Sequence, residues 1–155
     1  MIASLLTSVP LEGSSFSSLN AKITMPTIQR LTPVLVYEDL AAAHDFLVEA
    51  FGFEPGGVER DASGTAVHAE VTAGGTAIWL HRVSPEHRLA SAGALAAATS
   101  GLYVHVDDVD AHFRRAQAKG AKITSPPANR SYGVREYASE DAEGHRWWFG
   151  AALRR

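Results

Sequence analysis

The sequence predicts an α+β fold of two tandem βαβββ modules. Three observations carry that reading. Apolar runs with strand and helix periods follow one another as strand, helix, strand, strand, strand. The same order then recurs along the chain, and cap and turn residues fall at matching places in the two copies. Leu31 to Tyr37 (LTPVLVY) is apolar and β-branched, as a strand requires. Asp39 stands at an N-cap position before LAAAHDFLVEAF, a run of good helix formers. Leu40, Ala43, Phe46, Leu47 and Ala50 share one helix face and are expected to pack on the sheet. Gly52 stands where a helix C-cap glycine belongs. Phe53 to Arg60 is a strand, and Asp61 to Gly64 (DASG) a turn. Thr65 to Val71 alternates, Ala73-Gly74-Gly75 turns, and Thr76 to Val83 (TAIWLHRV) completes the first module.

Ser84 to Ala98 reads as a linker with a short alanine-rich helix, after which the plan repeats. Leu102 to Val106 is a strand, Asp107 a cap, and VDAHFRRAQAK a helix ending at Gly120. Ala121 to Thr124 is a strand leading to Pro126-Pro127. Tyr132 to Ser139 and His145 to Gly150 are strands around the turn Asp141 to Gly144. Sliding the chain on itself pairs Val36 with Val104, Asp39 with Asp107, His44 with His112 and Gly52 with Gly120. After a one-residue slip it pairs Gly64 with Gly133, His68 with Tyr137, Gly75 with Gly144 and Trp79 with Trp148. The expected organisation is an extension over 1–27, a first module over 28–83, a linker over 84–98 and a second module over 99–152. Ordered pattern begins at Met25. That residue is read either as a natural start, with 1–24 an extension, or as the end of a flexible arm that docks on a partner subunit.

The bulk numbers exclude several classes. A length of 155 residues with 46% hydrophobic side chains suffices to bury one core. A net charge of −3, with basic doublets only at Arg114-Arg115 and Arg154-Arg155, gives no basic face for nucleic acid. The doublets are read as solvated surface. No run is long enough to span a membrane, and residues 1–24 make a poor signal peptide, so the expected location is cytoplasmic. With no cysteine, thiol catalysis, disulfides and zinc-thiolate sites are excluded.

The segments PVLVYEDLAAAHDFLVEAFGFE, VHVDDVDAHFRRAQAKGA and YGVREYASEDAEGHRWWFG resemble the vicinal oxygen chelate superfamily, which includes glyoxalase I, extradiol dioxygenases and fosfomycin and bleomycin resistance proteins. The last segment is similar to the bleomycin-resistance-like branch. The resemblance covers roughly residues 28–152. It implies that each module curls into a half-open cup, that two cups face each other across a cleft within a chain or across a homodimer, and that metal-binding members place ligands on the first and last strand of each module. Here those places map onto Thr32, Trp79, Gly101 and Trp148. A hydroxyl is a weak ligand, and glycine and tryptophan supply none, so no standard metal site and no cofactor are expected.

Strand alternation selects what faces the cup. If Trp79 faces in, Ala77 and His81 do too, while Ile78 and Leu80 pack on the helix; likewise Trp148 and Arg146 face in, while Trp147 and Phe149 do not. Tyr103 and His105 are in phase with Gly101, His68 with Glu70, and Arg135 with Tyr137. The expected ligand-binding set is Trp79, Trp148, Tyr103, His105, His68, Tyr137 and Arg135, suited to a planar, partly polar small molecule such as a drug or metabolite. The alternative is that the tryptophans fill the cup as core and leave an interaction module without a ligand. An enzyme without the usual metal would work through His68, His105 and Arg135, and a displaced metal would draw on His68, His81 and His105 with Glu70. His44 and His112 are read as surface or helix-packing residues, His87 and His145 as solvated.

Overall fold

A computed structural model describes residues 27–154. The extension expected over 1–27 therefore lies, but for its last residue, outside the described residues. Thr27 to Arg30 carry no regular structure.

From Leu31 onward the first module runs β1 (Val34–Tyr37), α1 (Leu40–Phe51), β2 (Glu54–Arg60), β3 (Ala66–Ala73) and β4 (Thr76–Arg82). The linker holds a 3-10 turn at Pro85–His87 and a short helix α2 (Ala92–Leu95). The second module runs β5 (Gly101–His105), α3 (Val109–Ala118), β6 (Lys122–Asn129), β7 (Val134–Glu140) and β8 (Arg146–Ala152). The strands form two four-stranded sheets in the orders β1-β4-β3-β2 and β5-β8-β7-β6. β1 runs parallel to β4, and β5 to β8, while the other neighbours are antiparallel. A parallel pair needs a crossover, which α1 and α3 begin.

Asp39 caps α1 by accepting from the Ala42 amide, and Gly52 ends it in the left-handed region at φ 73°. In the second module the cap is Asp108, not Asp107: it is Asp108 whose carboxylate accepts from the Ala111 amide. β6 also runs past its expected end at Thr124 to Asn129, through Pro126 and Pro127. It is an edge strand, paired only with β7, and its register shifts between Ser125 and Ala128. An edge with an irregular ladder needs no amide from proline there.

One core serves both modules. Leu47, Ala50 and Phe51 of α1 and Ala116 of α3 join Val71, Leu80, Tyr137, Trp147 and Phe149 in a single buried cluster. The Phe51 ring lies 4.8 Å from Phe149 and 5.5 Å from Trp147, which ties the first module's helix to the second module's last strand. Fully burying such a ring contributes about 2–3 kcal/mol. Arg115 of α3 donates through Nε to the Glu49 carbonyl at 2.9 Å and through Nη2 to the Val48 carbonyl at 3.1 Å, closing the C-terminus of α1. Each sheet thus turns one face to the shared core and leaves the other open.

Candidate functional site

The pleat decides which face each side chain takes. On β4, Ile78 and Leu80 are buried in the core, whereas Trp79 is 42% exposed on the open face. The Trp79 indole is held in place, its Nε1–H donating to Glu70 at 2.8 Å, with the His68 ring edge-on at 5.7 Å. Ladder register sets Glu70 opposite Trp79 and His68 opposite His81. His68, Glu70, Trp79 and His81 therefore form one array on the first sheet.

The second sheet carries another array. Trp147 and Phe149 enter the core, and Trp148 takes the open face between them. Gly101 and Gly150 allow two rings to lie close to the strands. A Cβ at position 101 would run into the Trp148 ring, and one at 150 would run into the Tyr103 hydroxyl. Tyr103 and Trp148 stand opposite each other in register, and His105 lies beside Tyr103 at 5.1 Å. The Arg146 guanidinium is 5.8 Å from the centre of the Trp148 ring.

Two expected members of the set lie elsewhere. Tyr137 is fully buried in the core, stacked on Phe149 at 5.1 Å. Its hydroxyl is 2.7 Å from His112 Nδ1, and His112 Nε2 is 2.9 Å from the Phe51 carbonyl. A carbonyl only accepts, so Nε2 carries the proton and Nδ1 accepts from Tyr137. Burial lowers the His112 pKa, consistent with this neutral bridge between the modules, and burial raises that of the Tyr137 phenol. Arg135 is a forked partner of Asp110 on α3, at 2.8 Å and 2.6 Å. Neither residue faces the cup.

The displacement has a register cause. His68 opposes His81, and the residue equivalent to His81 is Gly150, which opposes Glu136. Glu136, not Tyr137, is thus the counterpart of His68. The extra residue lies between β7 and β8: Asp141 and His145 flank three residues, Ala142 to Gly144, where Ala73 and Thr76 of the first module flank only Gly74-Gly75. Glu136 is the side chain that the sequence reading passed over. It is buried on the open side of its sheet, accepting at Oε1 from Arg130 Nε at 3.2 Å and from the Tyr132 hydroxyl at 2.7 Å. Burial, then the Glu136 carboxylate, raise the Tyr103 phenol. Counting Tyr137 into the core beside Phe149 would have turned Glu136 outward from sequence alone.

His145 is another correction. Rather than being solvated, its side chain is mostly buried, 4.4 Å from the Tyr37 ring and 3.4 Å from Asp141. Arg115, read as solvated surface, closes α1 as described. The histidines named for a displaced metal divide between the sheets: His68 and His81 on β3 and β4, His105 on β5. Among the described residues no group of three or more His, Cys, Asp or Glu is placed to hold a metal ion. At the four positions that the resemblance assigns to ligands, Trp79 donates a hydrogen bond, Trp148 lies on Gly101, and Thr32 supplies a hydroxyl. This donor set does not fit a divalent cation.

Open space adjoins the exposed faces. A groove of about 520 Å3 runs from Pro33, Thr76 and Ile78 of the first module to Leu102, Tyr103 and His105 of the second. A second, of about 630 Å3, lies between Trp148 and the alanine-rich linker. Both are of drug-binding size.

Comparison with known proteins adds the lineage. The family model described as Glyoxalase/Bleomycin resistance protein/Dioxygenase superfamily matches residues 27–149. The uncharacterized protein Rv0887c of Mycobacterium tuberculosis is 30% identical over 127 residues, covering 80% of this chain and 75% of its own. TioX from Micromonospora sp. ML1 superposes with a TM-score of 0.64 at 33% identity, over 80% of this chain and 98% of its own. TnmS3, an antibiotic binding protein from Streptomyces sp. CB03234, superposes with a TM-score of 0.63 at 23% identity, over 83% of this chain and 98% of its own.

Proposed function

Because this chain belongs to the Glyoxalase/Bleomycin resistance protein/Dioxygenase superfamily, we propose that it is a binding protein that sequesters a planar, partly polar small molecule against its open aromatic faces. One observation carries the reading: two of the positions where metal-binding relatives place ligands hold tryptophans, and their rings line open sheet faces instead of filling the core. A planar ligand gains about 1 kcal/mol per stacked ring beyond simple burial. Trp79 is already fixed by Glu70 at 2.8 Å, so little ordering entropy opposes stacking there. The antibiotic binding of TnmS3, a neighbour in fold, is consistent with this use of the scaffold. The groove beside Trp148, with the second beside Tyr103 and His105, favours a ligand over a module whose tryptophans serve only as filling. The enzyme reading has less support, since Arg135 is occupied by Asp110 and His68 and His105 stand on different sheets. Half-exposed Val34, Trp79 and Tyr103 also favour a homodimer that covers the open faces.

Tryptophan emission tests the proposal. Trp147 is fully buried and supplies a constant background, so a ligand-dependent change reports Trp79 and Trp148. Titration with a panel of planar antibiotics is expected to give saturable quenching by at least one compound, reduced in Trp79→Ala or Trp148→Ala. Emission that stays unchanged across the panel at saturating concentration overturns the reading.

A further inference from the structure

The two open faces differ in charge. In the first module the acid nearest the tryptophan is Glu70, bonded to Trp79. In the second, the buried acid Glu136 is taken up by Arg130 and Tyr132. The groove beside Trp148 offers cations instead. Glu140 receives both Lys122 Nζ at 2.7 Å and Arg146 Nη1 at 2.9 Å, so two cations share one carboxylate. The Lys122 ammonium holds the Glu140 carboxyl below the usual carboxylate range, and Arg146 adds to the effect, so this acid stays ionised between them. Glu143, the other acid on the wall, has its two oxygens on the backbone amides of Glu38 and Asp39. Among the described residues, the Nε and Nη2 of Arg146 donate to no protein acceptor. Opposite Trp148 the wall is small and apolar, made by Ala92, Gly93 and Ala96 to Ala98.

Resting on the binding reading above, we propose that the second module's groove selects a planar aromatic carboxylate. The ring system lies between Trp148 and the linker wall, and its carboxylate is received by Arg146, with Lys122 beside it. The separation of 5.8 Å between guanidinium and indole centre brings the edge of a stacked ring to the fork. A planar fork with free donors pairs a carboxylate better than any other side chain can. The two cations of the groove are balanced by Glu140 and Glu143, so the attraction for an anion is local to the free edge of the fork, and salt will screen it.

Calorimetric titration with anthraquinone-2-carboxylate and its uncharged analogue 2-(hydroxymethyl)anthraquinone tests this, in the wild type, Arg146→Met and Lys122→Met. The carboxylate is expected to bind at least about tenfold more tightly than the alcohol in the wild type, the worth of one charge-assisted pair. Arg146→Met is expected to remove most of that preference while still binding the alcohol, and Lys122→Met to reduce it less. Equal binding of both probes to the wild type, or a preference that survives in Arg146→Met, overturns the carboxylate assignment and leaves aromatic binding standing. Absence of binding by both probes, together with unchanged tryptophan emission across the antibiotic panel, overturns both readings. Circular dichroism of each variant confirms that the comparison is between folded proteins.

Discussion

At the scale of residues, two glycines decide the shape of the second module's open face. Gly101 and Trp148 act as a pair, because the indole occupies the space that a Cβ at 101 would need. The would-be Cβ also lies 3.1 Å from the Arg146 carbonyl, so the main chain blocks any easy escape. Gly101→Ala is therefore expected to destabilise by about 1–3 kcal/mol, the usual cost of overpacking. In a Trp148→Ala background the ring is gone, and the same substitution is expected to cost distinctly less. Urea unfolding of the four proteins measures the coupling, and strictly additive effects would break the pair. The same geometry explains why a metal ligand at 101 and a tryptophan at 148 exclude each other.

At the scale of elements, the α1–α3 contact depends on polar closure as much as on apolar packing. Arg115 Nε satisfies the Glu49 carbonyl at the C-terminus of α1, and Nη2 adds a second donor to the Val48 carbonyl, which also accepts from the Gly52 amide. Arg115→Met keeps the stem but loses both bonds and the favourable charge. It is expected to cost about 1 kcal/mol, since water reaches the freed Glu49 carbonyl, and to lower the thermal midpoint by about 2–4 °C. The element order was legible in the sequence because helices, caps and hairpin glycines each carry a local signal: Asp39, Gly52 and the Gly74-Gly75 turn stand where their residue types required. The open faces of β4, β5 and β8 were legible too, since alternation fixes a whole strand once one buried residue is known. What failed was long-range register. The second module has a longer β7–β8 turn, and nothing local marks the extra residue. Aligning His68 with Tyr137 placed Tyr137 in the cup and hid Glu136. Arg135 and His145 were misplaced for a related reason: Asp110 of α3 and Tyr37 of β1, against which they pack, come from elements distant in sequence.

At the scale of the whole molecule, the second module's turn is what joins the two halves into one folding unit. Asp141 Oδ2 accepts from the Tyr37 hydroxyl of β1 at 2.7 Å and from Trp147 Nε1 at 3.0 Å. Its Oδ1 accepts from the Glu143 and His145 amides at 3.1 and 3.0 Å. Burial pushes this carboxyl up, but the contacts with His145, Tyr37 and Trp147 outweigh it and hold the carboxyl below its ordinary value. His145 Nδ1 lies 3.4 Å from Asp141 Oδ2. A carboxyl lowered in the folded state binds its proton more tightly in the unfolded chain. Its contribution is therefore complete above the unfolded value of about 3.9 and is lost as pH falls through the folded value. In Asp141→Asn the amide group faces Tyr37, whose hydroxyl can rotate to accept, and Trp147, whose indole N–H cannot. The buried indole donor left unpaired is expected to cost about 2 kcal/mol at pH 7. The deficit should narrow only below about pH 4, as the wild-type carboxyl takes up its proton. Urea midpoints of both proteins from pH 7 to pH 3 test this. A deficit independent of pH would assign the loss to packing, and one that closed near neutral pH would assign it to another group. Because Tyr37 and Trp147 share the core with α1 and α3, both proteins should still unfold in one transition, followed equally by tryptophan emission and helical ellipticity.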